Sequence, residues 1–97
     1  MGREEQLKNI KKIIVRILKK YRIKKAGLFG SYSRGDFGKN SDIDILIQPS
    51  SDMSLLDVSG LKIELEEALH NKVDIVTYKY LSPYLKKSIL ESETRIL

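Results

Sequence analysis

Two aspartates stand in apolar segments where a β-strand would disfavour them. Asp44 lies between Ile43 and Ile45, and Asp74 lies between Val73 and Ile75. Asp is depleted in strands, and a buried carboxylate without a partner is costly. Asp42 stands two residues before Asp44. On a strand, side chains at i and i+2 share a face, with backbones about 6.6 Å apart. Asp42 and Asp44 can therefore aim at one point, and Asp74 joins them if its strand lies beside theirs. A purely structural role would need a basic partner for each carboxylate, and the nearby ones, Arg34, Lys39 and Lys72, are few. Converging carboxylates repel one another unless cations lie between them. A donor set of hard oxygens selects magnesium or manganese. Two such ions about 3.5–4 Å apart form the clamp used for in-line displacement at phosphorus.

Upstream of these carboxylates the chain reads Gly30-Ser31, then Arg34-Gly35. Glycine lets a backbone approach a phosphate closely. A serine at the mouth of a short helix offers a hydroxyl and neighbouring amides to an anion. Arg34 adds a positive charge one turn on. Strand, Gly-Ser, helix, loop and Asp-x-Asp thus read together as a triphosphate cradle beside a metal pair. Other matches fail. Gly38-Lys39 resembles the end of a P-loop, but position 33 is Ser and position 40 is Asn. Asp36-Phe37-Gly38 spells a kinase motif in a chain too short for a kinase. Arg34-Gly35-Asp36 is read as coincidence, and His70 as a surface residue in a polar turn.

The elements that must position these groups come from the periodicity. Helical spacing of Leu7, Ile10, Ile13, Ile14, Ile17 and Leu18 predicts a helix over about Glu4 to Tyr21. Lys24–Phe29 reads as a strand stopped by Gly30. Ser31 to Arg34 reads as the start of a short helix, and Asp36–Ser41 as a turn-rich loop. Asp42–Gln48 is a second strand. Leu61, Leu65, Ala68 and Leu69 mark a helix over Leu55–Leu69. Val73–Tyr78 is a third strand. Ser82 and Pro83 suit the N-cap and first position of a last helix to about Glu93. Arg95–Leu97 either adds an edge strand or frays. Three or four strands with helices between them make a small α/β or α+β sheet domain.

Ninety-seven residues hold one domain, read as residues 1–97, with a thin core. No apolar run approaches the ~20 residues of a membrane helix. The first residues do not resemble a signal peptide. The absence of cysteine excludes disulfides and thiolate chemistry, and the single histidine excludes sites that need two. A reducing, cytoplasmic location and no membrane association are expected. The charge is uneven. Residues 1–25 hold ten basic and two acidic residues, +8, while the remainder carries −3. Lys8, Lys11, Lys12, Arg16, Lys19 and Lys20 lie largely off the apolar stripe. They are read first as the solvated face of an amphipathic helix, with a docking face for an acidic partner as the alternative. Aromatic residues are sparse there, so direct nucleic-acid binding is not expected.

The segment GSYSRGDFGKNSDIDILI, residues 30–47, resembles the signature of the minimal nucleotidyltransferase (MNT) family of the DNA polymerase β superfamily. VDIV at 73–76 resembles the segment that carries the family's third aspartate. The resemblance spans nearly the whole chain. It implies a mixed β-sheet flanked by helices, with ATP as donor and magnesium, two ions, with manganese as a substitute. By position, Gly30 and Ser31 match the phosphate-binding pair, Asp42 and Asp44 the metal-binding pair, and Asp74 the third catalytic carboxylate. Arg34 matches a family arginine at the nucleotide. Stand-alone members of this size resemble the antitoxins of two-gene toxin–antitoxin pairs. Their partner is a HEPN ribonuclease toxin, silenced by transfer of AMP to a tyrosine. The competing expectations are a non-catalytic antitoxin acting by complex formation, and transfer to a small molecule or an RNA. A homo- or hetero-oligomer is compatible with any of these.

Overall fold

The computed structural model describes residues 2–30, 32, 38, 41–78 and 82–97. Helix α1 runs Arg3–Lys20, with Glu4 and Glu5 in its first turn and Lys19 and Lys20 in its last. That charge order complements the helix dipole. Strand β1, Lys25–Phe29, ends at Gly30, whose φ of 72° lies in the left-handed region. Strand β2 is Ile43–Gln48. Helix α2, Leu55–Leu69, opens with a capping box between Ser54 and Asp57 and closes at His70, which is left-handed at φ 52° and exposed. Strand β3 is Val73–Thr77, helix α3 is Pro83–Ser92, and β4 is Thr94–Arg95.

The strand order is β3-β2-β1-β4. β1 runs antiparallel to both β2 and β4, and β2 runs parallel to β3, so the sheet is mixed. Its parallel pair is joined through α2, as a parallel connection requires. Period-two alternation divides β2 between two faces. Ile43, Ile45 and Ile47 join Ala26, Leu28 and Val73 in one buried cluster with Ile14, Ile17 and Leu18 of α1 and Leu61 and Leu65 of α2. Glu64 ties the two helices together, accepting from Lys20 Nζ and Tyr21 Oη at 3.0 Å each. Asp44, Leu46 and Gln48 belong to the opposite face by the same alternation, opposite Phe29, Gly27 and Lys25.

The elements differ from the sequence reading mainly at their ends. α1 starts and ends one residue earlier, β1 and β2 each start one residue later, so that Asp42 falls just outside β2, and Tyr78 falls outside β3. The last strand is Thr94–Arg95 and not Arg95–Leu97, but Ile96 and Leu97 remain hydrogen-bonded to Ala26 and do not fray. The short helix expected from Ser31 to Arg34 falls outside the described residues except for Tyr32, which is helical.

Candidate functional site

Parallel pairing sets Asp44 directly beside Asp74, with Ile43 beside Val73 and Ile45 beside Ile75. The condition on the third carboxylate is thus met by strand register. Asp42 precedes β2 by one residue. Just before it, Gly38 N donates to Ser41 Oγ at 2.8 Å, and Ser41 N donates to the Gly38 carbonyl at 3.2 Å. All three carboxylates are half-buried. Burial raises the Asp44 carboxyl above its ordinary 3.8, and the charges of Asp74 and then Asp42 raise it further. The three groups are therefore close enough to repel.

Gly30 sits against this cluster. A Cβ built on it would lie 2.6 Å from Asp44 Oδ2, closer than real Cβ contacts come. Its positive φ independently favours glycine. The sequence reading assigned the small size of this residue to a phosphate; the structure shows that it makes room for the Asp44 carboxylate. Ser31 and Arg34 lie outside the described residues, as does Lys39. Lys72 is exposed, and the only ion pair among the described residues is Lys20–Glu64. No described cation pairs with Asp42, Asp44 or Asp74.

Sequence reasoning passed over Asn71. Its Nδ2 donates to Tyr32 Oη and to the Ser41 carbonyl, at 3.0 Å each, and its Oδ1 accepts from Lys72 N at 2.7 Å. Every hydrogen of this amide is used. Tyr32 is itself 3% exposed and part of the core. One side chain at the foot of β3 thus pins both ends of the stretch between Tyr32 and Ser41. A buried Tyr within a polar glycine-rich motif, followed by an Asn just before a strand, was the available signal.

A second polar group lies farther along the face that carries Asp44. Glu93 reaches over Gly27, where a Cβ would collide with its carboxylate, and accepts from Tyr78 Oη. Lys25 Nζ lies 4.5 Å from the centre of the Tyr78 ring. Burial and then the Glu93 carboxylate push the Tyr78 phenol well above its usual range.

An oxygen-only set in which the neighbouring charges raise the proton affinity of Asp44 fits a hard divalent cation. Among the described residues no three acidic or histidine side chains close around an ion by themselves. A phosphate-bearing ligand, itself a source of oxygen ligands, is the natural complement of such an open set.

Comparison with known proteins agrees with this chemistry. The polymerase β nucleotidyltransferase family matches residues 11–97. A Methanocaldococcus jannaschii chain bearing the name of a protein adenylyltransferase is 44% identical over 91 residues, which are 94% of this chain and 98% of that one. A solved structure described as a minimal nucleotidyltransferase superposes with a TM-score of 0.83 at 30% identity, covering 97% of this chain and 95% of that one. A toxin–antitoxin crystal structure with AMP-PNP gives 0.78 at 27% identity, covering 90% of this chain and 72% of that one. The chain belongs to the polymerase β nucleotidyltransferase family, and it is a nucleotidyltransferase.

Proposed function

We propose that this enzyme transfers AMP from ATP to a tyrosine hydroxyl of a HEPN-type ribonuclease toxin and so acts as its antitoxin. The observation that carries the reading is the register of Asp44 beside Asp74, with Asp42 and Gly30 at the same end of the sheet. The name of the M. jannaschii relative supports adenylyl transfer to protein. The toxin–antitoxin relative with its ATP analogue supports both donor and setting.

In this reading Asp42, Asp44 and Asp74 hold magnesium. The metal supplies charge neutralisation at the triphosphate and lowers the pKa of the attacking hydroxyl. Gly30 and Ser31 cradle the phosphates, and Arg34 adds positive charge there. Asp74 takes the proton leaving the acceptor hydroxyl. The acceptor oxygen bonds to the α-phosphorus, the bond from that phosphorus to the bridging oxygen breaks, and pyrophosphate departs. Asn71 keeps the phosphate-binding stretch beside the carboxylates by holding Tyr32 and Ser41.

The test is mass spectrometry of the partner co-expressed with the wild type or with Asp42→Asn. The mass of an AMP group appears on the partner only with the wild type. A stable complex without modification in either case would replace this reading with a non-catalytic antitoxin. Modification in both would mean that the metal site is wrongly placed. Transfer by the isolated chain to a small molecule or an RNA end would move the acceptor and keep the chemistry.

A further inference from the structure

One face of α1 concentrates charge beyond what solvation of an amphipathic helix requires. Lys8, Lys12 and Lys19 fall in line with Val15 at spacings of four, three and four, and Lys11 and Arg16 flank that line. Together with Arg95 and Ile96 they border a groove of about 640 Å³ between α1 and the edge of the sheet. The groove has five cations along its helical side and Arg95 across from them, Val15 and Ile96 as its apolar part, and no carboxylate among its described lining residues. Lys8, Lys12, Arg16, Lys19 and Arg95 are exposed, and the one ion pair among the described residues lies elsewhere. Like charges at i,i+3 and i,i+4, such as Lys8 with Lys11 and Lys12, and Arg16 with Lys12 and Lys19, weaken a helix. Glu4 and Glu5, four and three residues before Lys8, offset it there, and α1 carries no other carboxylate.

We infer that this groove docks an acidic amphipathic helix of a protein partner. The charge calls for carboxylates. The apolar part calls for a side chain between them, which a phosphate backbone does not supply. From Lys8 to Lys19 the stripe runs about 16 Å along the helix axis, enough for three turns of a partner helix. A second copy of this chain is a poorer occupant. Among the described residues its only comparable acidic helix is α2, with Leu56 and Ile63 exposed among Asp57, Glu64 and Glu67. Two of these carboxylates are already engaged, Asp57 by Ser54 N and Glu64 by Lys20 and Tyr21, which leaves few to meet the cations of the groove. The groove lies on α1 and the sheet edge, apart from the carboxylates. The inference shares with the proposed function only the idea that the partner is a protein.

The test reads binding without nucleotide or metal, so its failure leaves the transferase reading standing. Fluorescence anisotropy would follow a synthetic amphipathic helix carrying glutamates beside a leucine stripe, its lysine counterpart, and a single-stranded RNA oligonucleotide. The wild type binds the glutamate helix, and added salt weakens that binding. Lys12→Glu with Arg16→Glu weakens it about tenfold or more, and the reversed protein now prefers the lysine helix. That gain also shows that the variant is folded. Equal binding of the two helices, indifference to the reversal, or displacement of the glutamate helix by RNA would overturn the inference. So would a self-association, measured by light scattering, that the reversal abolishes.

Discussion

Replacing Gly30 by alanine probes the close approach of backbone and carboxylate directly. Gly30 has φ 72°, and a Cβ there would lie 2.6 Å from Asp44 Oδ2. Holding a non-glycine residue in the left-handed region costs about 1–2 kcal/mol. At about 4–8 °C per kcal/mol for a domain of this size, the melting temperature falls by about 4–16 °C. The collision adds little to that loss, because a carboxylate at the end of a side chain can rotate away. It does move Asp44, and displacement of about 1 Å at a reacting centre can cost about a hundredfold in rate. Gly30→Ala therefore leaves a folded protein whose AMP transfer, followed by pyrophosphate release with magnesium, ATP and the partner, drops by about two orders of magnitude. In an Asp44→Ala background the strain persists and the collision is gone. The full cycle in chemical denaturation then reports their coupling, at the low end of the ~0.5–3 kcal/mol seen for touching residues. Full transfer by a destabilised Gly30→Ala protein would refute the link between this glycine and the Asp44 position.

Three further outcomes follow from the same geometry. The raised Asp44 carboxyl means that the folded chain binds that proton more tightly than the unfolded chain. Its contribution to stability is full below the ordinary value of 3.8 and is lost as pH rises through the raised one. Asp44→Asn removes that loss, so metal-free melting curves at neutral pH shift upward while stabilisation by magnesium or manganese disappears. Asn71→Ala removes both donated bonds and destabilises by about 1–3 kcal/mol. It also raises the apparent KM for ATP, and Asn71→Asp, which keeps the acceptor for Lys72 N but loses the donors, does not restore it. Ser54→Ala breaks the capping box of α2; it costs about 1 kcal/mol, read as a fall of about 4–8 °C in melting temperature, with transfer unchanged at temperatures well below melting.

Much of this arrangement was legible because it follows from period alone. The isoleucines at 43, 45 and 47 announce a strand with one buried face, and an aspartate between two of them has to face the other way. Pairing β2 with β3 rather than with another strand was not legible, since register depends on contacts distant in sequence. It is this pairing that sets Asp44 beside Asp74. The Asn71 bridge was equally hidden, because its partners lie 39 and 30 residues away. The basic face of α1 shows the limit from the other side. Helical spacing correctly placed its lysines off the core, but the groove exists only because β4 brings Arg95 and Ile96 alongside. Arg95 and Ile96, from a segment read as either an edge strand or a frayed end, thus complete a surface.

The division of the sheet explains how so short a chain tolerates three mutually repelling carboxylates. Core packing lies on the α1–α2 face, where Ile43, Ile45 and Ile47 meet both helices. Asp44 projects from the other face, so its charge is not buried in that cluster. The two functions of β2 nevertheless share one backbone. Moving its register by a single residue would send the isoleucines to the aspartate face and the aspartate into the core. Core packing therefore selects the register that aligns Asp44 with Asp74, and the apolar residues that stabilise the fold also determine where its charged ones meet. A substitution can accordingly impair the site without touching a carboxylate. Ile45→Ala, by loosening the core beneath Asp44, costs stability first, about 2–5 kcal/mol, and costs transfer through the position of Asp44. Asp44→Asn separates the two by abolishing transfer while the core stays intact.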